Sequence, residues 1–309
     1  MTVTSVGEGG RRRAPGPARI GRRHGGNASL ERSESATVGV EAITVIGLIC
    51  AWMVAQMLLF GMLSHTRSQA ILYGQLREEL AEATAPTGGV IVPGNPVALV
   101  TIPAIGVQEV VVEGTSAGEL LKGPGHLRSS VLPGQAGTSV LLGRARTYGA
   151  PFAKISLLHA GHAIQAMTAQ GPATYRVDDV RRAGDALPKQ LAAGAGRLTL
   201  VSGYTGTRLS SLAPHEVVYV DATLITKSYQ APANGLRAVA PSELAMARDT
   251  NVMPSLALSL GALAVVLAAG LLARDRIPDA VVWIVGAPTT IALAWASGDN
   301  LMHLLPNLF

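Results

Sequence analysis

A chain of 309 residues has room for one good domain plus appendages, and its skew toward hydrophobic (48%) over charged (15%) side chains comes from three concentrated apolar runs. Much of the +5 net charge sits in the first 32 residues, at Arg11, Arg12, Arg13, Arg19, Arg22, Arg23 and Arg32. Directly before a hydrophobic span, such arginines read as a cytoplasmic flank rather than a nucleic-acid arm, and the single cysteine, Cys50, excludes an internal disulfide and a Cys-based metal site.

Residues 1–38 are rich in Gly, Arg, Ser and Ala and read as a disordered cytoplasmic tail. Residues 39–64 are long and apolar enough for a first transmembrane helix, with no clean cleavage site at its end. In residues 65–95, Gln69, Leu72, Leu76, Leu80 and Ala81 recur at helical spacing, which predicts a juxtamembrane helix ended by Pro86-Thr-Gly-Gly. From 96 to 227 the character changes. Short Val/Ile/Thr runs are punctuated by Gly and Pro: Ala98–Ile102, Val110–Glu113, Ser139–Leu142, His162–Thr168, Thr174–Val180, Arg197–Val201 and Val217–Leu224. They predict a small closed or sandwiched β domain.

A linker follows at 228–252, with Pro232 and Pro241. Residues 253–273 and 279–297 predict second and third transmembrane helices, separated by Arg274-Asp-Arg-Ile-Pro-Asp279. Pro288 is tolerable in a packed membrane helix. The small residues Ser255, Ala257, Ser259, Gly261, Ala262 and Ala264 fit either helix packing or ordinary membrane composition. Charge then sets the topology: the N-terminus and Arg274/Arg276 inside, the β domain and a tail at 298–309 outside.

Within 96–227, six blocks stand in order: Ile102-Pro-Ala-Ile-Gly-Val107, Val111-Val-Glu-Gly-Thr115, Gly123-Pro-Gly-His126, Pro133-Gly-Gln-Ala-Gly137, Thr147-Tyr-Gly-Ala-Pro-Phe152 and Leu198-Thr-Leu-Val201. In order and spacing they resemble the sortases, most closely an actinobacterial, class E-like branch. The resemblance implies a mainly β architecture, a sortase-like β barrel outside the membrane, carried here on three transmembrane α-helices. It also implies a transpeptidase of the Gram-positive envelope. A cysteine would attack the Thr–Gly bond of a sorting signal, a histidine would move protons and an arginine would serve the oxyanion or orient the substrate.

The sequence departs from that pattern at each working position. Arg144 stands where the resemblance places the histidine, and a guanidinium does not exchange protons near neutral pH. Gly203, after Leu198-Thr-Leu-Val-Ser202, stands where it places the cysteine. No arginine opens the last predicted strand near Val217, which leaves Arg208 in the preceding loop as the candidate for the oxyanion. The degenerate groove is expected to comprise Arg144, Arg146, Thr147, Ser202, Gly203, Tyr204, Arg208 and His215. Ser202 is a possible replacement nucleophile without a His/Asp pair in register. His126 belongs to a structural block, and His159 and His162 lie on a surface turn lacking a third metal ligand.

The leading expectation is a non-catalytic, membrane-anchored sortase-like pseudoenzyme of the cell envelope. It would bind a peptide, an active sortase or a secreted surface protein, with no cofactor, metal or nucleic acid. The alternatives are a transpeptidase or peptidase using Ser202, and a structural membrane-assembly subunit.

Overall fold

The computed structural model describes residues 43–44, 47–48, 50–52, 54–56, 60–204, 216–232, 238–273, 280 and 282–309. The expected tail at 1–38, much of the first apolar run, Arg208, His215, Arg274 and Arg276 lie outside these residues. The chain divides into two units, Met1–Cys50 and Ala51–Phe309. In the first, the described residues are helical and exposed; the second holds the strands and the longer helices.

Eight strands close into a barrel: β1 (Pro96–Ile102), β2 (Val107–Glu113), β3 (Gly125–His126), β4 (Gly137–Gly143), β5 (Ala163–Thr168), β6 (Gly171–Arg182), β7 (Gly196–Tyr204) and β8 (Glu216–Leu224). Their order is β1-β2-β3-β4-β7-β8-β6-β5, and β1 meets β5 to complete the ring. The pairs β2/β3 and β4/β7 are parallel; the others are antiparallel. Six of the seven predicted runs lie wholly on strands, and the seventh, His162–Thr168, begins one residue before β5. The remaining strand, β3, is two residues long and has no periodicity to betray it. Closure leaves no open edge in the sheet.

Alternation along the strands sends one side chain in two to the interior. There Val100, Ile102, Leu141, Ile164, Tyr175, Leu198, Leu200 and Val220 form the central core. β5 follows the pattern strictly, exposed and buried in turn from Ala163 to Thr168. β1 and β2 are instead buried on both faces, because helix α1 (Gly61–Ala81) lies across their outer side. Leu72 and Leu76 of α1 pack on Val110 and Val112. Burying two leucines contributes roughly 1.5–3 kcal/mol each. Gln69 fixes the helix in place: its Oε1 accepts the Val110 N–H at 2.7 Å, and its Nε2 donates to Val110 O (3.1 Å) and Lys122 O (2.9 Å). Gly123 is required beneath it, since a Cβ there would lie 2.2 Å from Gln69 Nε2.

Beyond β8 the chain runs back over the barrel. Tyr229 bridges Gln135, and the buried Glu243 accepts from Arg128 Nη1 at 3.1 Å. Helices α2 (Met253–Ala273) and α3 (Ala287–Leu304) follow. Among the described residues one helix is long and apolar enough to cross a membrane, Thr250–Gly270. Of the three expected spans, the second is this helix, the third does not meet that length and composition, and the first lies largely outside the described residues. The third run is divided by a π-helical turn, Val282–Gly286, and α3 carries Asp299, Asn300 and His303 in its second half. Pro288 is the second residue of α3, directly after that turn. The face α2 turns inward is Leu256, Ser259, Leu263 and Val266, so most of the small-residue series is exposed.

Candidate functional site

The candidate site stands at the ends of β4, β7 and β8. Gly143 pairs with Ser202 across the parallel β4/β7 ladder, and Gly203 pairs with Val217 across β7/β8. Arg144 and Gly203, the residues that follow Gly143 and Ser202, therefore leave adjacent strand ends together. Leu198 and Leu200 face the central core, whereas Val201 belongs to an outer cluster with Leu120, Leu142 and Leu308. The period of two puts Gly203 on the same outer side as Val201.

Gly143 allows the chain to turn tightly here. A Cβ at this position would lie 2.4 Å from Phe152 Cδ2, so its absence lets the Phe152 ring close beneath the strand end. The loop from Thr147 to Phe152 then bends sharply, with Tyr148 (φ 51°), Gly149 (φ 76°) and Ala150 (φ 45°) all left-handed. For two non-glycine residues that conformation is held by surroundings rather than preference.

Arg144 is fully buried. Its Nη1 donates to Thr147 Oγ1 at 3.0 Å, its Nη2 donates to Ala117 O at 3.1 Å, and its guanidinium lies 5.7 Å from the Tyr148 ring centroid. Nε has no partner, and among the described residues no carboxylate pairs with the charge. Burial lowers its pKa to about 10. Arg144 thus remains a cation at neutral pH and accepts no proton there. Burial, helped by the nearby Asp299 charge, also raises Tyr148 to about 12, against the opposing pull of Arg144. Neither group is an acid–base catalyst at physiological pH.

Ser202 is fully buried and donates to Gly143 O at 2.8 Å. Its proton is committed to the neighbouring strand, and none of the histidine hydrogen bonds among the described residues reaches it. His65 bonds Glu109, and His162 Nδ1 accepts the His159 N–H within their turn. His126 lies in another part of the barrel, its Nδ1 2.8 Å from Glu113 Oε2 and its Nε2 2.9 Å from Val131 O. Ser130 Oγ is 3.1 Å from Nε2, and its own hydroxyl donates to Leu127 O at 2.7 Å. Among the described residues no group of three or more His, Cys, Asp or Glu side chains is arranged to hold a metal.

Arg146, Gly203 and Tyr204 come together around a cavity of about 200 Å³, lined also by Ala145, Phe152, Ala153, Ser156 and Val218. Thr147 does not line it; its hydroxyl accepts from Arg144 Nη1 and donates to Phe309 O. Arg208 and His215 fall in the undescribed loop between β7 and β8. Sequence reasoning missed Tyr148, although it stands in the Thr147–Phe152 block, and it missed Ala117 and the segment Leu305–Phe309, which reach the site from distant parts of the chain with no local motif.

With this geometry in hand, residues 100–211 match the family model of the sortase domain. That match covers about a third of the chain, and the eight-stranded barrel that contains most of it is sortase-like. No curated protein matches the chain. Solved structures that it resembles include a Clostridium perfringens sortase D5 transpeptidase (20% identity, 53% of this chain and 99% of that one, TM-score 0.42). A point mutant of sortase E from Streptomyces avermitilis is another (27% identity, 44% and 91%, TM-score 0.36). A third is the SrtF sortase from Corynebacterium diphtheriae (20% identity, 48% and 95%, TM-score 0.38).

Proposed function

We propose that this chain is a membrane-anchored sortase-like protein of the cell envelope that binds a peptide or protein partner without performing transpeptidation. The observation that carries this reading is the pairing of Gly203 with Val217 beside a fully buried Arg144. Acyl transfer needs a nucleophile, a proton donor for the leaving amine and positive charge for the oxyanion. At the strand ends Gly203 offers no side chain, and Arg144 offers fixed charge already committed to Thr147 and Ala117. A cavity and an outer apolar face remain, and these are features of binding. Groups that act as a unit fail together, so the rate left without them is only what binding and orientation provide. Ser202 as nucleophile is disfavoured by its bond to Gly143 O and by the lack, among the described residues, of an imidazole on it. The test is purified full-length protein with a panel of sorting-signal peptides and an acceptor amine, followed by mass spectrometry. The expected result is no cleavage and no transfer. Turnover that Ser202→Ala abolishes would replace this reading with a serine enzyme.

A further inference from the structure

We infer that Leu305–Phe309 is an internal ligand of the outer face of β4, β7 and β8, a latch that must leave before a partner's extended peptide takes the same place. This rests on the reading of that face as a binding surface. Helix α3 stops at Leu304 because Leu305 is extended (ψ 149°) and Pro306 has no N–H to continue it. The segment then lies along the barrel. Asn307 is fully buried; its Nδ2 donates to Thr115 O (2.8 Å) and Leu244 O (2.9 Å), and its N–H donates to Ala247 O (2.9 Å). Leu308, also fully buried, packs on Leu120, Leu142 and Val201. Its carbonyl accepts the Ala145 N–H at 3.1 Å, and the Phe309 carbonyl accepts from Thr147 Oγ1 at 2.8 Å.

Two features make the segment a ligand rather than part of the core. The barrel closes through β1 and β5 without it, and none of its residues belongs to the central core. Its docking is also imperfect. Asn307 Oδ1 is buried without a partner, which destabilises the docked state relative to a solvated one. What the face reads is therefore specific: two successive main-chain carbonyls, a leucine side chain, and before it a side chain with an amide donor. A competing ligand is a peptide of that chemistry, an extended segment with Asn or Gln followed by Leu. The latch bonds to Ala145 and Thr147, the residues flanking Arg146 just after Arg144, so docking and the degenerate site share one loop.

The experiment uses the full-length chain in detergent micelles and a fluorescein-labelled hexapeptide, Leu-Leu-Pro-Asn-Leu-Phe, read by fluorescence anisotropy. Two variants unlatch the segment by different means: Asn307→Ala removes the side-chain bonds, and Leu308→Asp expels the apolar anchor. Each is expected to bind the hexapeptide at least tenfold more tightly than the unmodified chain. Variants with unchanged circular dichroism that bind no more tightly would overturn the latch. So would loss of folding in both, because the segment would then be structural. Sorting-signal peptides run in parallel separate this inference from the one it rests on. Binding without transfer supports both, whereas transfer by an unlatched variant keeps the latch and overturns the non-catalytic reading.

Discussion

Ser202 of β7 donates its hydroxyl hydrogen to the carbonyl of Gly143 in β4, and each residue is the last before a position where sortase-type chemistry would act. The bond locks two parallel strand ends together, so Arg144 and Gly203 emerge from a rigid support. On the proposed reading, the scaffold for a reaction persists here without the reacting groups, and that separation directs the first experiment.

Gly203→Cys alone is expected to yield no multiple-turnover transfer. A thiolate beside the Arg144 cation is a competent nucleophile, but the guanidinium has no proton to spare for a leaving amine at neutral pH. A covalent adduct with a sorting peptide, seen by intact-mass spectrometry, is the most this variant should give. Adding Arg144→His should raise turnover above the single variant. Equal rates for the two would show that proton transfer is not what the site lacks.

Gly143→Ala should destabilise the domain by about 1–3 kcal/mol, the usual cost of overpacking. The new methyl would meet the Cδ2 and Cγ atoms of Phe152, the body of a buried ring rather than a flexible end. Denaturant unfolding of the variant measures this, and Phe152→Leu in the same chain should recover part of the loss. A melting curve unchanged by Gly143→Ala would show that the ring moves freely.

Tyr175 gives stability a defined alkaline limit. Burial raises its pKa to about 12, against the lowering effect of the Gly134 N–H that donates to its oxygen at 2.5 Å. A folded-state value above the unfolded value of 10.0 means that this contribution is intact below pH 10. It is lost as pH rises from there through 12. Tyr148 acts in the same direction. The lowered pKa of Arg144 opposes them, because its penalty is relieved as pH rises above 10. Two groups outweigh one, so stability should fall between pH 10 and 12. Tyr175→Phe should flatten that decline while lowering stability at pH 7 by about 1–3 kcal/mol, since the Gly134 N–H loses its partner. An unaltered slope would show that Tyr175 ionises equally in both states.

For membrane orientation, a reporter fused after Phe309 should read as external and one between Arg274 and Asp275 as cytoplasmic. The arginine flanks and the apolar helix at Thr250–Gly270 motivate this expectation. The reverse pattern would place the barrel in the cytoplasm and remove the basis for an envelope role.

The barrel was largely legible because its strands carry their own punctuation. Val110–Glu113 and Arg197–Val201 are β-rich runs bounded by Gly or Pro, and each lies within a strand. The α1 face was legible too, since Gln69, Leu72 and Leu76 recur at helical spacing and all three contact the barrel. What stayed hidden depends on distance along the chain. Tyr229 and Glu243 occupy a stretch whose prolines and polarity suggest a plain linker, yet one bridges Gln135 and the other pairs with Arg128. Residues 298–309 read as a tail, yet α3 runs on to Leu304 and Leu308 is wholly enclosed. At the site, the neighbouring positions of Arg144 and Gly203 followed from motif order. The burial of Arg144 did not, because Ala117 meets its guanidinium from afar and Phe309 holds its partner Thr147.

The parallel pairing of β4 with β7 and the seating of Leu305–Phe309 set an order of assembly. Thr147 meets Phe309 across 162 positions, and Thr115 meets Asn307 across 192. Contacts this remote require closing loops longer than half the chain, and such contacts form late. A ribosome delivers all eight strands well before residue 305 appears. For a time after synthesis of β8, the nascent barrel therefore presents Val201, Leu142 and the Ala145 amide uncovered. That interval, before α2 and α3 have been made and threaded to their places, is a window of vulnerability to aggregation and of opportunity for a chaperone.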